Sequence, residues 1–252
     1  MRRPFFIVGL FGLVLSSPAG AQRGILRVLA SRGVRPALLA LARPAEGAIA
    51  GPVTAQFNTT TVLKQRIEAG EQFDVAVLTQ EAIDSLIKSG KITASSRAEI
   101  GSVGIGIGVR TGAKKPDVAT VQALKRTLLN AKGITYAADG ASRPAIERMF
   151  EELGIVDSVT SKTTLTAGSD AAMARVAGGR EELIITLISE IMPTPGIDLV
   201  GPLPARFQRY VRFAAGISTN AKNTQTAKAY LRFLTDPKAA PTFKAKGIQT
   251  AE

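Results

Sequence analysis

Cysteine, histidine and tryptophan are absent from this chain of 252 residues. Without cysteine there is no disulfide framework, no thiolate nucleophile and no N-terminal cysteine for lipid attachment. Without histidine, the Ser-His-Asp and Cys-His catalytic arrangements and the HExxH zinc site are excluded. The fold must therefore be stabilised by a hydrophobic core, and we expect neither a metal nor any other cofactor.

The N-terminus has the three-part pattern of a secretory signal peptide. Two arginines precede residues 5–15, an apolar run about half as long as a membrane-spanning helix requires. The triplet Ala19-Gly20-Ala21 then offers small residues to a signal peptidase. We predict cleavage before Gln22 and export to a Gram-negative periplasm. The alternative, an uncleaved anchor, is disfavoured because residues 16–20 would break its helix.

The chain is basic, with 32 Lys and Arg residues against 20 Asp and Glu residues. A protein with this balance attracts anions. The cations are scattered singly or in short pairs such as Lys114-Lys115, and few aromatic residues lie among them, unlike the pattern of nucleic-acid binding. We therefore expect a small anionic ligand and no nucleic-acid partner.

Short apolar runs alternate with amphipathic stretches, which indicates an α/β fold. We predict strands over residues 25–30, 53–57, 74–78, 101–109, 133–137, 165–167, 183–188 and 209–217. We predict helices over residues 36–42, 62–69, 121–130, 145–153, 170–177 and 224–234, with another ending near Gly90. Residues 192–204 are predicted to be loop-rich.

Three predicted strands run into small hydroxyl or glycine residues that open a helix. These turns are Ser31-Arg32-Gly33, Asn58 to Thr61, and Gly140-Ala141-Ser142. Free backbone N–H groups and the positive end of the helix dipole favour anions at such turns, and hydroxyls add directed donors. Ordinary helix capping explains any one of them equally well. Three together favour an anion site.

Two segments carry a family resemblance. Residues 60–70, TTVLKQRIEAG, are followed by residues 73–78, FDVAVL, and the C-terminal residues 227–237 read AKAYLRFLTDP. Together with the Ala30-Ser31 turn, they resemble the molybdate-binding protein family of ABC transporters, which has a type 2 periplasmic-binding-protein fold. The resemblance covers nearly all of the chain after the signal peptide.

The resemblance implies two lobes, each a mixed β-sheet flanked by helices, joined by two crossover strands. Lobe I would comprise residues 22–104 and 207–252, and lobe II residues 105–206, with a ligand that closes the hinge. It also implies a monomer that delivers its ligand to a membrane permease. Hydroxyl and backbone N–H groups hold the anion in this family, and the matching positions are Ser31, Thr60 or Thr61, and Ala141 or Ser142.

The chain departs from the family pattern near this expected site. Where molybdate binders have a tyrosine after an apolar strand, residues 184–190 read IITLISE, and we place Thr186 from this segment among the expected contacts. Arg32 and Arg143 adjoin two of the anion turns, and Asn58 opens the third. Because guanidinium groups match carboxylates bidentately, we expect an organic carboxylate rather than molybdate. Surface solvation or salt bridging is the alternative role for both arginines.

Three functional classes fit these residues. The first is a solute-binding protein of an ABC transporter. The second is an enzyme on the same scaffold, as in the aconitate isomerases, which resemble this family; such an enzyme needs a base to move an allylic proton, and Lys64 and Glu190 are the candidates. Lys64 could equally be a solvated helix residue, and Glu190 an ordinary loop carboxylate. The third class, a sensory partner of a membrane receptor, would use the same pocket.

Overall fold

A computed structural model describes residues 24–250, so the predicted signal peptide, residues 1–21, lies outside the described residues. The strands are β1 Leu26–Ser31, β2 Val53–Asn58, β3 Val75–Thr79, β4 Ala98–Arg110, β5 Ile134–Ala137, β6 Thr163–Thr166, β7 Leu183–Leu187, β8 Ile197–Pro202 and β9 Tyr210–Ile217. Between residues 24 and 250, no helix has both the length and the apolar character that a bilayer span requires.

Helices follow most of the strands. They are α1 Arg35–Ala40, α2 Ala42–Ile49, α3 Thr60–Glu68, α4 Gln80–Lys88, α5 Val121–Asn130, α6 Arg143–Leu153, α7 Val156–Thr160, α8 Ser169–Ala177, α9 Ile188–Ile191, α10 Thr224–Leu234 and α11 Ala240–Ala245. Short 3₁₀ turns occupy Arg32–Val34, Ala94–Ser96 and Pro237–Ala239.

The strands form two mixed groups that share β4. The first group has the order β2-β1-β3-β9-β4, and the second has the order β4-β7-β5-β6 with β8 also on β4. Strands β1, β2 and β3 are parallel, as are β5, β6 and β7, whereas β9 and β4 run antiparallel to their neighbours. Within each group, the loops that follow the parallel strands therefore lie together at the carboxyl ends of those strands.

β4 passes from one group to the other partway along its length. Residues up to Gly104 pair with β9, residues 105–108 pair with β7, and residues 106–110 pair with β8. Gly106 and Gly108 are needed here. A Cβ at position 106 would lie 2.8 Å from Ile188 Cγ1, and a Cβ at position 108 would lie 2.9 Å from Ile184 Cγ2. The alternating glycines of the sequence therefore admit close packing of neighbouring side chains.

The core follows from strands that are apolar on both faces. Every residue of β3 and of β7 is buried, as expected for strands covered by helices on either side. Phe213 of β9 is fully buried among them, and the rings of Tyr136 and Phe150 pack with their centroids 6.2 Å apart. Burial of these side chains is the main favourable contribution to folding.

The predicted α/β fold is confirmed, and most predicted elements are present with ends shifted by one to three residues. The region predicted to be loop-rich, residues 192–204, contains a strand that was not predicted, β8 at Ile197–Pro202. Glycine and proline interrupt its short apolar run, so the local pattern is that of a loop. Its pairing with β4, a contact distant in sequence, makes it a strand.

Candidate functional site

A small cavity lies at the carboxyl ends of strands from both groups. Its volume is about 20 Å³, room for one group the size of a water molecule. The first group supplies the ends of β1 and β2, and the second supplies the ends of β5 and β7 together with the start of α8. Its walls are Ser31, Arg32, Thr59, Thr60, Ala137, Gly140, Ala141, Ser142, Ser169, Thr186, Leu187 and Glu190.

Two serine hydroxyls, one from each group of strands, define the chemistry of this cavity. Ser31 and Ser142 are each only 4% exposed. Each precedes a helical turn, yet neither side chain caps that turn, and neither hydroxyl has a hydrogen-bond partner anywhere in residues 24–250. No fully buried side-chain nitrogen or oxygen atom among the described residues lacks a partner, so both unpaired hydroxyl oxygens are open to the cavity. Both are therefore donors available to a group placed in the cavity.

Three helices begin at the cavity wall. Thr60 is the first residue of α3, Ser142 precedes α6, and Ser169 is the first residue of α8. The first N–H groups of a helix lack partners within that helix, and the helix dipole is positive at this end. The Thr59 hydroxyl accepts from the N–H of Val62 at 3.4 Å, which satisfies one such group. The convergence of these helix starts favours a negative group in the cavity.

Arg32 brings a positive charge to the edge of the cavity. Its Nε lies 3.1 Å from Oδ2 of Asp170 in α8, so it joins the two groups of strands. Its guanidinium also packs against Gly168, where a Cβ would clash with it. The Arg32 side chain is 19% exposed, which makes this ion pair less screened than one at the open surface.

Glu190 is a buried carboxyl in the cavity wall. Its two oxygens accept from the hydroxyls of Ser169, at 2.9 Å, and Thr186, at 2.6 Å. Burial raises the pKa of Glu190 above the ordinary glutamate value of 4.5, although both hydroxyl hydrogen bonds favour the ionised form. The protonated form of this carboxyl is therefore favoured relative to that of a solvated glutamate.

Asp139 holds the two sides of the cavity together. Its Oδ2 accepts from the Thr59 hydroxyl at 2.7 Å, and its Oδ1 accepts from the N–H of Gly168 at 3.1 Å. The Thr61 hydroxyl reaches the Asp139 carbonyl oxygen at 3.4 Å. Sequence reasoning did not select Thr59, Asp139, Ser169 or Asp170. The only local signal was that each stands within, or directly beside, a turn that follows a strand.

The structure brings together seven of the residues selected from the sequence. Those that line the cavity are Ser31, Arg32, Thr60, Ala141, Ser142, Thr186 and Glu190. Four others lie outside its wall. Asn58 accepts from the N–H of Thr59 at 2.9 Å, Thr61 is exposed, and Lys64 pairs with Glu68 one helical turn later.

Arg143 is the fourth. Its Nε donates to Glu147 at 2.7 Å, and its Nη1 donates to the carbonyl oxygen of Ala138 at 2.6 Å. Its guanidinium therefore belongs to the local structure of α6. Among residues 24–250, no cluster of three or more acidic, histidine or cysteine side chains could hold a metal ion.

Solved structures with this fold include oxyanion-binding proteins. The periplasmic molybdate-binding protein of Azotobacter vinelandii superposes with a TM-score of 0.77 at 17% identity, over 90% of this chain and 100% of that one. The sulfate-binding protein SubI of Mycobacterium tuberculosis gives a TM-score of 0.75 at 12% identity, over 91% of this chain and 88% of that one. The resemblance to molybdate-binding proteins is thus confirmed at the level of the fold.

A relative of similar length is an enzyme by name. An aconitate isomerase from Pseudomonas sp is 28% identical over 256 residues, which covers 98% of this chain and 97% of that protein. Residues 26–249 also match a family model described as bacterial extracellular solute-binding protein. Because that match spans nearly all of the described residues, the chain belongs to the bacterial extracellular solute-binding protein family.

Proposed function

We propose that this protein is a periplasmic solute-binding protein of an ABC transporter, and that its cavity binds a carboxylate of a small organic anion. The observation that carries the proposal is the pair of nearly buried serines, Ser31 and Ser142, which line one cavity from the two groups of strands and whose hydroxyls have no protein partner among the described residues. Together with the helix starts, they provide hydrogen-bond donors in a small cavity. Such donors stabilise a negative group strongly.

In this proposal the two groups of strands are lobes that separate to admit the ligand. Lobe I comprises residues 22–104 and 207–252, lobe II comprises residues 105–206, and β4 is one crossover. The Thr59–Asp139 and Arg32–Asp170 contacts join the lobes on either side of the cavity. The predicted signal peptide supports a periplasmic location, where the closed protein would deliver its ligand to a permease.

Arg32 favours a carboxylate over molybdate or sulfate. Its guanidinium is the charged donor in the cavity wall, whereas the molybdate-binding family holds its anion with hydroxyl and backbone N–H groups. Arg143, selected from the sequence for the same purpose, lies outside the cavity wall and is engaged by Glu147 and Ala138. The charge argument therefore depends on Arg32 alone.

Ligand binding can be tested by thermal unfolding with molybdate, tungstate, sulfate, phosphate and a panel of carboxylates, since binding to the folded state raises the unfolding temperature. We expect a selective shift with carboxylates. Ser31→Ala and Ser142→Ala should each raise the Kd about tenfold or more, because a hydrogen bond to a charged group is lost. Ser158→Ala, an exposed serine of α7, is the matched control. If no carboxylate shifts the unfolding temperature, the proposal is wrong.

A second candidate function is the isomerisation of an aconitate-like tricarboxylate. Two observations favour it: the full-length similarity to the Pseudomonas aconitate isomerase, and the Glu190 carboxyl in the cavity wall with its raised pKa. In such a reaction Glu190 would remove a proton from one allylic carbon and return it to the other end of the allylic system, with no net change in protons. Lys64, the other candidate base, is paired with Glu68 away from the cavity.

Proton NMR separates the two functions. Incubation with trans-aconitate yields the cis isomer if the protein is an isomerase, and Glu190→Gln should then slow the reaction at least about a hundredfold while leaving binding in place. If trans-aconitate binds and its spectrum does not change with time, the protein binds this ligand without isomerising it. A sensory role would use the same cavity and the same ligands.

A further inference from the structure

A second and larger cavity adjoins the first. Its volume is about 470 Å³, within the roughly 300–1,000 Å³ typical of small-molecule sites. It lies between α1 on one side and α8 and α9 on the other. Arg32 and Glu190 line both cavities, so these two side chains form the partition between the small inner cavity and this outer groove.

The outer groove contains two guanidinium groups, those of Arg32 and Arg35, beside the carboxyls of Asp170 and Glu190. Arg32 Nε lies 3.1 Å from Asp170 Oδ2, and Arg35 Nη1 lies 3.7 Å from the same oxygen. Two guanidinium groups therefore share one carboxylate oxygen. Arg35 and Asp170 are 46% and 51% exposed, and ion pairs this open to solvent contribute little stability. A second anionic group can therefore take the place of Asp170 at Arg35 at small cost.

The remaining wall of the groove is mainly apolar. Leu39 of α1 faces Met173 of α8 across it, and Pro193 lies beyond α9. Leu39 is exposed although it is a large apolar residue. An apolar wall beside two cations suits a carbon chain that ends in a carboxylate.

The two cavities differ in the size of the ligand group that each can hold. The inner cavity, at about 20 Å³, admits only a small terminal group unless its walls move apart. The groove has room for the rest of an organic molecule. A ligand with a single small anionic group would leave the groove and Arg35 unused.

We propose, on the basis of the function proposed above, that the ligand carries at least two carboxylates. One enters the inner cavity among the serine hydroxyls, and the second lies in the outer groove against Arg35, which is thus a specificity-determining residue. Arg32, in the partition, contacts both.

Titration calorimetry with acetate, succinate, glutarate and inorganic sulfate tests this assignment on the full mature chain. We expect the dicarboxylates to bind at least about tenfold more tightly than acetate. Arg35→Gln should weaken dicarboxylate binding about tenfold and leave acetate unchanged, because only the second carboxylate reaches Arg35. Arg43→Gln, an exposed arginine of the next helix, should change neither.

The outcomes separate this assignment from the proposed function. The outer subsite is contradicted if acetate and the dicarboxylates bind equally well. It is also contradicted if Arg35→Gln weakens the binding of acetate as much as that of succinate. Neither result would contradict carboxylate binding in the inner cavity. If no carboxylate binds, the proposed function itself fails. The comparison of acetate with the dicarboxylates uses the unaltered protein, so it tests the outer subsite even if Arg35→Gln does not fold.

Discussion

The side-chain amide of Gln208 closes a pair of hydrogen bonds, each 2.9 Å long, with the backbone N–H and carbonyl of Ile105. Ile105 is the residue at which β4 changes its partner from β9 to β7. Gln208 lies in the segment that carries the chain from β8 back to β9. The two connections between the groups of strands are therefore bonded to each other at the point where a hinge would act.

Gln208→Ala should lower the free energy of unfolding by about 1–3 kcal/mol, because the fully buried N–H of Ile105 loses its partner. Urea unfolding measures the change. Gln122→Ala, an exposed position of α5, should stay within about 0.5 kcal/mol of the unaltered protein. Equal effects of the two substitutions would contradict a special role for the Gln208 amide.

The hydrogen bond between Thr59 and Asp139 should appear as a coupling energy in a double-mutant cycle. Thr59→Val and Asp139→Ala each destabilise the protein, but the double variant should be less destabilised than their sum by about 0.5–3 kcal/mol. The cycle cancels the loss of the α3 cap, which Thr59→Val also causes. Strictly additive effects would show that this contact contributes nothing in solution.

Glu190 should make stability fall as pH rises. Its pKa is raised in the folded state, so the folded protein holds this proton more tightly than the unfolded chain does. The associated stability is fully present below pH 4.5, the ordinary glutamate value, and is lost as pH rises through the raised pKa. Glu190→Gln cannot ionise, so it should gain in unfolding temperature relative to the unaltered protein as the pH is raised from acidic to neutral. A difference that does not vary with pH would contradict this.

Gly33 has no room for a side chain. A Cβ there would lie 2.6 Å from Phe213 Cζ and 2.7 Å from Leu187 Cδ1, and the Gly33 carbonyl accepts from the Ser189 hydroxyl at 2.7 Å. Gly33→Ala should therefore destabilise the protein by about 1–3 kcal/mol through overpacking.

Gly47 of α2 provides the matched control for Gly33. A Cβ added at Gly47 would have no neighbour within 4 Å among the described residues, so Gly47→Ala should stabilise the helix by up to about 1 kcal/mol. Thermal unfolding of both variants checks the contrast, and a stabilising Gly33→Ala would show that the neighbouring side chains adjust freely.

Much of the site could be predicted because its parts are local. Ser31, Thr60 and Ser142 each follow a strand and open a helical turn, and strand and capping patterns are visible within a few residues of sequence. Parallel strands then place such turns at one edge of a sheet. The convergence of all three on one cavity agrees with that expectation.

The charged partners could not be predicted in the same way. Arg32 and Arg143 both adjoin an anion turn, yet Arg32 pairs with Asp170 across the cavity and Arg143 pairs with Glu147 on its own helix. Long cationic side chains can reach several carboxylates, and only distances in the folded protein decide between them. Asp139 was missed for the same reason, since its partner Thr59 is 80 residues away.

The sequence by itself determined the α/β pattern, the glycines of β4 and the hydroxyls at the helix starts, because propensity, periodicity and capping act between near neighbours. Only the tertiary structure decided that Ile197–Pro202 is a strand, that Glu190 is buried and that a large groove adjoins the small cavity. Strand pairing, desolvation of a carboxyl and the shape of a cavity depend on segments far apart in the chain, so they cannot be predicted from a local sequence pattern.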